Sequence, residues 1–310
     1  MCQAMPSGTR VLSPSDLEKI VKIDQEITKR SRHGFYEKRL SANNSATVAL
    51  GVEENGVILG FVMAHILDGE FGGKAPVAVL NALGVSKEAR GKGLAKKLML
   101  ALDSALNARG VKEVVTEAEW SEHDLVSFFA AANFSLSGRL IFERDTGRAD
   151  FGVSHGYDVE SLARDRVPVR SMVESDLAAI VNIDKKITGK DRTAYYRRKM
   201  TEVLKESGIQ ASLVAEVDGQ FAGFIMASVN FGEFGRTEAV AVMDTIGVNP
   251  AFAKHGVGSA LASQLIANLS SLQVEKVRTQ GDWDNLSLLS FLKRCGFAPS
   301  QSLSFSRRAL

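Results

Sequence analysis

Cysteine is nearly absent: 310 residues carry two, Cys2 and Cys295, at opposite ends of the chain. A disulfide framework is excluded, and a reducing compartment fits better. No Cys/His spacing suits zinc, so no metal is expected. Long apolar runs are missing as well. The longest, Val57–Ala64, falls far short of the roughly 20 residues that cross a bilayer. Met1–Arg10 has no apolar stretch of the secretory kind, so the expected location is cytoplasmic, with no membrane partner. Charge of one sign is not in excess either. Lys and Arg number 38 against 36 Asp and Glu, a net charge of +2, which argues against nucleic acid as the main partner. Neither G-x-G-x-x-G in an early βαβ unit nor a Gly-Lys-Ser/Thr phosphate loop occurs.

What is present is an ordinary globular composition, 45% apolar and 24% charged, at a length that suits two domains. An internal repeat supplies them. Ser15–Leu40 and Ser175–Met200 are identical at 11 of 26 positions at an offset of 160. GFVMA at Gly60–Ala64 matches GFIMA at Gly223–Ala227, GEFG recurs at Gly69 and Gly232, and Trp120 and Phe134 match Trp283 and Phe297. A period this long is a duplicated domain, not a solenoid repeat. The copies are placed at 1–146 and 166–310, with a polar, Gly-rich linker over 147–165.

Each copy reads as helix, hairpin, strand, helix, strand, helix, strand: an α/β fold with a mixed sheet. In the first, a capped helix follows Ser13-Pro14-Ser15-Asp16. Thr47–Val52 and Val57–Ile66 flank a Glu54-Asn55-Gly56 turn. A strand over Pro76–Val85, a helix over Leu94–Asn107, a strand over Glu113–Glu117, a helix near Asp124–Ala132 and a last strand near Arg139–Arg144 complete the copy.

The sharpest local feature is the strand-to-helix turn Val85-Ser-Lys-Glu-Ala-Arg90-Gly91-Lys92-Gly93-Leu94-Ala95. Small residues let a ligand approach the backbone, and the first N–H groups of a helix favour phosphate. Alone, the same pattern is an ordinary βα turn with solvated lysines.

In this position the turn resembles the acyl-CoA loop of the GCN5-related N-acetyltransferase (GNAT) family, Gln/Arg-x-x-Gly-x-Gly/Ala after the fourth strand. Phe291 to Phe297 and Phe128 to Phe134 resemble a second family signature, an aromatic-ended helix before Gly-Phe, which in the first copy reads Asn133-Phe134. The resemblance covers nearly the whole chain, twice. It implies two tandem GNAT-like domains. It also implies transfer of an acetyl group from acetyl-CoA to a primary amine by direct attack, with no covalent enzyme intermediate. Leu83, Gly84 and Val85 would pair with the pantetheine arm, and Arg90, Gly91, Lys92, Gly93, Leu94 and Ala95 would hold the pyrophosphate. An N–H near Leu83 would stabilise the oxyanion.

The second copy would contribute Ile246, Gly247 and Val248 and the turn Gly256, Val257, Gly258, Ser259 and Ala260, with Asn285 as a further CoA contact. Written as His255-x-x-Gly258-x-Ala260, its turn reads two residues longer than the first, with His in place of Arg. The tyrosine that often serves the family as general acid is replaced by Phe129 and Leu292.

Candidate bases are Glu117 and Glu119 at the end of a strand, and Asp244 inside the second copy's cofactor strand, where the first copy has Asn81. The plain alternatives are solvated rim charges for the glutamates and a structural hydrogen-bond role for Asp244. Asp24, Arg32 and Tyr36, repeated as Asp184, Arg192 and Tyr196, read as a buried polar network. The acceptor would be a small molecule or a protein N-terminus, and the halves are expected to pack as an intramolecular pseudo-dimer. The competing function is a non-catalytic acyl-CoA-binding or regulatory module with one degenerate domain.

Overall fold

The structure, a computed structural model, describes residues 6–41, 46–72, 75–147, 167–206, 209–230, 234 and 238–309. The expected linker, apart from Gly147, lies outside the described residues.

The first half runs β1 (Thr9–Val11), α1 (Leu17–Thr28), α2 (His33–Leu40), β2 (Thr47–Glu54), β3 (Val57–Leu67), β4 (Val77–Val85), α3 (Leu94–Asn107), β5 (Glu113–Glu119), α4 (His123–Ala131), β6 (Ser135–Leu136) and β7 (Arg139–Asp145). The second repeats it: β8 (Val169–Ser171), α5 (Leu177–Thr188), α6 (Thr193–Thr201), β9 (Leu213–Val217), β10 (Gln220–Asn230), β11 (Val240–Val248), α7 (Val257–Ser271), β12 (Lys276–Asp282), α8 (Leu286–Arg294), β13 (Ala298–Pro299) and β14 (Ser302–Arg308). The α/β reading with mixed sheets holds. The short strands β1 and β8 carry too few residues to show a period in the sequence.

Local chemistry explains the element boundaries. The turn before α1 is closed by Asp16, not by the serine hydroxyls: its carboxylate accepts the Ser13 N–H at 3.0 Å and both Arg10 Nη groups at 2.8 Å. Asp176 does the same for Val173 and Arg170 in the second half. Each half has helices on both sheet faces. On one side of the first sheet, Leu98, Leu102 and Leu106 of α3 pack on Leu50, Val62 and Leu80. On the other, Ile20, Tyr36 and Phe61 meet over Met63. Tyr36 stands edge-on to Phe61 at 5.5 Å, and Tyr196 to Phe224 at 5.7 Å. The Asp24–Arg32–Tyr36 network is buried as expected, with Arg32 donating to the Tyr36 hydroxyl at 2.8 Å.

Strand order is what the sequence did not announce. One seven-stranded sheet runs β1-β2-β3-β4-β5-β14-β6, the other β13-β7-β12-β11-β10-β9-β8. The last strand of each copy therefore lies in the other copy's sheet. β14 is antiparallel to β5 from Ser302↔Glu119 to Arg308↔Glu113, and β7 to β12 from Asp145↔Lys276 to Arg139↔Asp282. The division at 1–146 and 166–310 follows the sequence copies, and the sheets cross it once in each direction. Each exchanged strand brings a phenylalanine and an arginine. Phe305 enters the first core beside Phe129, and Phe142 enters the second. Arg307 pairs with buried Asp103 of α3 at 2.7 and 3.1 Å, and Arg144 donates to the Cys295 carbonyl.

Candidate functional site

The two strand-to-helix turns are the same length. Gly93, at φ 75°, caps α3, and Gly256, at φ 79°, caps α7. Two residues earlier, Gly91 at φ 77° corresponds to Lys254 at φ 66°. The second turn is therefore Ala253-x-x-Gly256-x-Gly258 and keeps the spacing of Arg90-x-x-Gly93-x-Ala95. This corrects the two-residue insertion expected from Gly258. Backbone angles locate the cap, whereas two nearby glycines make the sequence register ambiguous. Arg is replaced by Ala253, and His255 stands opposite Lys92.

Positive φ selects glycine at both caps, because a Cβ there strains the backbone. Space does not select it, since a Cβ built at Gly91, Gly93 or Gly256 meets nothing within 4 Å. Neither helix has a side-chain cap bond. The first-turn amides thus open on free space at the positive end of a helix dipole, as a diphosphate requires. Leu94 and Val257 turn their side chains into the cores. Ala260 is fully buried and serves packing, while Gly258 and Ser259 are half-buried on the first turn. The first helix adds Lys96 and Lys97 where the second has Ser259 and Ala260.

Each cofactor strand also has a bulge. Opposite β3, the register jumps between Met63↔Ala82 and Ala64↔Leu80, leaving Asn81 as the extra residue. Opposite β10, it jumps between Met226↔Thr245 and Ala227↔Met243, leaving Asp244. Parallel pairing of β4 with β5 is confined to Ala78↔Val114 and Val79↔Val115, and that of β11 with β12 ends at Val242↔Arg278. Thr116 Oγ1 donates to the Leu80 carbonyl at 2.9 Å and Thr279 Oγ1 to that of Met243 at 2.7 Å, pinning the fork of each cleft. Beyond the fork, Leu83–Val85 and Ile246–Val248 have no strand partner on the side of β5 and β12 among the described residues. Gly84 and Gly247 owe their identity to packing: a Cβ would come within 2.7 Å of the Phe61 ring and 2.6 Å of the Phe224 ring.

The three candidate bases fare differently. Glu117 accepts two bonds from Arg278 at 2.8 and 2.9 Å, inside the protein, and joins the two sheets. Asp244 is buried with its carboxylate 2.5 Å from the Lys199 ammonium. Burial pushes its pKa up to about 6 against the pull of Lys199. Both acids are ion-paired inside the protein, Glu117 with Arg278 and Asp244 with Lys199, which sets a structural role beside the expected one of base. Glu119 is exposed at the open end of β5. Asn285 caps α8, its Oδ1 accepting the Leu288 N–H at 3.2 Å. Phe129 and Leu292 lie in the cores, so neither position offers an acid. Trp120 and Trp283 are rim residues, 58% and 65% exposed.

Sequence reasoning missed Lys199 and Arg278. Lys199 shares a helix face with the buried Tyr195, Tyr196 and Met200 and meets Asp244 of its own half, and Arg278 meets Glu117 of the other sheet; no local pattern names either partner. Among the described residues no group of His, Cys, Asp and Glu could hold a metal ion, and no helix is long and apolar enough to cross a membrane.

Comparison with known proteins agrees with this geometry. The sequence profile of the acetyltransferase (GNAT) family matches residues 16–134 and 177–297. No curated protein sequence matches the chain. Among solved structures, it is similar to a tandem GNAT protein from the clavulanic acid biosynthesis pathway, with TM-score 0.64 and 17% identity over 97% of this chain and 98% of that one. A GCN5-related N-acetyltransferase from Sphaerobacter thermophilus gives TM-score 0.62 and 13% identity over 99% and 97%. The Saccharomyces cerevisiae N-myristoyltransferase gives TM-score 0.59 and 13% identity over 99% and 81%. At these identities the likeness is one of fold.

Proposed function

Because the chain belongs to the acetyltransferase (GNAT) family, we propose that it is an N-acyltransferase that moves an acetyl group from acetyl-CoA to a primary amine, and that its first half does the transfer. The observation that carries this reading is the uncapped α3 terminus behind Gly93, facing open space beside the forked β4–β5 cleft. Acyl-CoA, when bound, supplies an activated thioester.

This chain's residues bind and orient it. The amides of Gly91–Ala95 take the diphosphate, with Arg90, Lys92 and Lys96 adding positive charge at the rim. The edge of Leu83–Val85 takes the pantetheine arm as an added strand would. A backbone N–H beyond the Asn81 bulge would stabilise the oxyanion that forms at the thioester carbonyl. Glu119, at the open end of β5, accepts the amine proton through water. Neither half needs a side-chain acid for the departing sulfur, because a thiol ionises near pH 8.5. The two halves form a pseudo-dimer in which each donates a strand to the other, as subunits of a symmetric pair would. The acceptor is a small amine or a protein N-terminus.

CoA release measured across a panel of primary amines tests the reading. Turnover with at least one amine, lost in Gly93→Glu, supports it. Acetyl-CoA binding without turnover on any amine would favour the second reading, an acyl-CoA-binding module; the buried Lys199–Asp244 pair in the second half is what speaks for that alternative.

A further inference from the structure

The second half's cleft meets a segment of the first half. Residues 68–72, in the loop after β3, lie on α6 and on the bulged strand β11. Polar bonds and close packing hold the segment there. Arg198 of α6 donates to the Asp68 carbonyl at 2.8 Å and to Glu70 at 3.3 Å. Arg192 donates to the Gly69 carbonyl. Gly69 lies so close to the Tyr195 ring that a Cβ would come within 2.9 Å of it. Glu70 is 6% exposed, although its sequence context is polar.

The clasp changes a repeated network. In the first half Arg32 gives its guanidinium to Asp24 through two nitrogens and to Tyr36. In the second, Arg192 shares it between Asp184 and the other half's loop, and Asp184 Oδ2 is left without a hydrogen bond. Beneath the loop lies the Lys199–Asp244 pair, both side chains at most 3% exposed. Lys199 also reaches Glu202 at 3.0 Å, and Tyr195 bonds Thr245 at 2.7 Å. One Asp244 oxygen has no partner at all among the described residues. The corresponding first-half residues are Arg39, Asn81, Phe35 and Ala82, which cannot form this pair.

A primary ammonium on a buried carboxylate at the strand bulge is the arrangement an amine acceptor would make. We propose that the second half is plugged: Lys199 on Asp244, covered by residues 68–72 of the first half, takes the acceptor's place, so that this half holds acyl-CoA without passing the acyl group to an external amine. The proposal rests on the acyl-CoA reading of the clefts, and the first arm of its test does not.

In that arm the intact chain is pulsed with an amine-acetylating reagent, acetyl N-hydroxysuccinimide ester, and each lysine is read by peptide mass spectrometry. Lys199 is expected to react at least ~100-fold more slowly than exposed Lys87, and at least ~10-fold faster after Glu70→Ala with Arg198→Ala. A milder variant, Glu70→Gln with Arg198→Lys, is used if the first loses its melting transition. Labelling of Lys199 at the Lys87 rate, or no acceleration when the clasp is cut, overturns the plug. In the second arm, Gly93→Glu chain saturated with acetyl-CoA is given methylamine, spermidine or a glycine-initiated tripeptide. CoA release at the buffer rate is expected; release above ~10% of the unaltered chain's rate overturns the proposal. Absence of any acetyl-CoA binding would instead remove the proposed function, while the lysine pattern would still report on the plug.

Discussion

The two halves differ most at two places, and the contrast separates what binds a cofactor from what admits an acceptor. Their turns superimpose in length and in the sign of φ at both key positions. What changed is charge: Arg90, Lys96 and Lys97 became Ala253, Ser259 and Ala260. At the bulge the change has the opposite character, from Asn81 to an Asp244 that is buried and paired. Backbone geometry that presents amides survived duplication. Side chains that tune the site did not.

The buried pairs that tie one half to the other give the largest expected effects. Arg278→Ala leaves Glu117 buried without its cation, and Arg307→Ala does the same to Asp103; each is expected to cost about 3–5 kcal/mol. Arg144→Ala loses, with its other contacts, the bond to the Cys295 carbonyl, and is expected to cost about 1–3 kcal/mol. Urea midpoints of the three variants check the order, and equal losses would break the distinction.

Next come the glycine caps. Gly93→Glu sets a carboxylate against the diphosphate in a strained backbone, and Gly256→Glu does so in the second half. Each is expected to weaken acetyl-CoA at its own half at least ~100-fold, about 3 kcal/mol, in titration calorimetry. Loss of both sites from one substitution would show that the halves do not bind independently.

A smaller effect separates His65 from its counterpart Ser228. Burial, with Arg39, Lys199, Arg198 and Lys38 nearby, pushes the His65 pKa down to about 3. The unfolded chain takes up this proton below about pH 6.5 and the folded chain does not, so stability falls as pH drops through that range. His65→Ser is expected to retain on the order of 2 kcal/mol more stability than the unaltered chain at pH 4, relative to pH 7. Denaturant melts at the two pH values read it. The smallest expected change is at the rim: Arg90→Ala should weaken acetyl-CoA at the first half by about threefold to tenfold, and Ala253→Arg should strengthen the second by a similar factor, as exposed charges do.

The repeat, the helix over Leu94–Asn107 and the glycine turn were legible because each is a local pattern with a physical cause. Leu94, Leu98 and Leu102 recur at helical spacing, and only glycine suits the cap. The strand exchange was not legible. Arg139–Asp145 and Ser302–Arg308 have the same period wherever they pair, and no local signal states which β-strand edge will receive them. Glu117 and Asp244 were visible as acids, yet their cations, Arg278 and Lys199, lie 161 positions ahead and 45 positions behind. In the second turn Gly256 and Gly258 both suit the glycine position, so the pattern alone leaves a two-residue ambiguity. Only the left-handed φ of Gly256 chooses between them.

Amide hydrogen exchange with and without acetyl-CoA bears most directly on the claim that uncapped helix amides hold the cofactor's diphosphate. Peptides covering 91–96 are expected to slow at least ~10-fold on saturation, and in Gly93→Glu the slowing should vanish. Bound acetyl-CoA that leaves the exchange of 91–96 and 254–259 unchanged would contradict it.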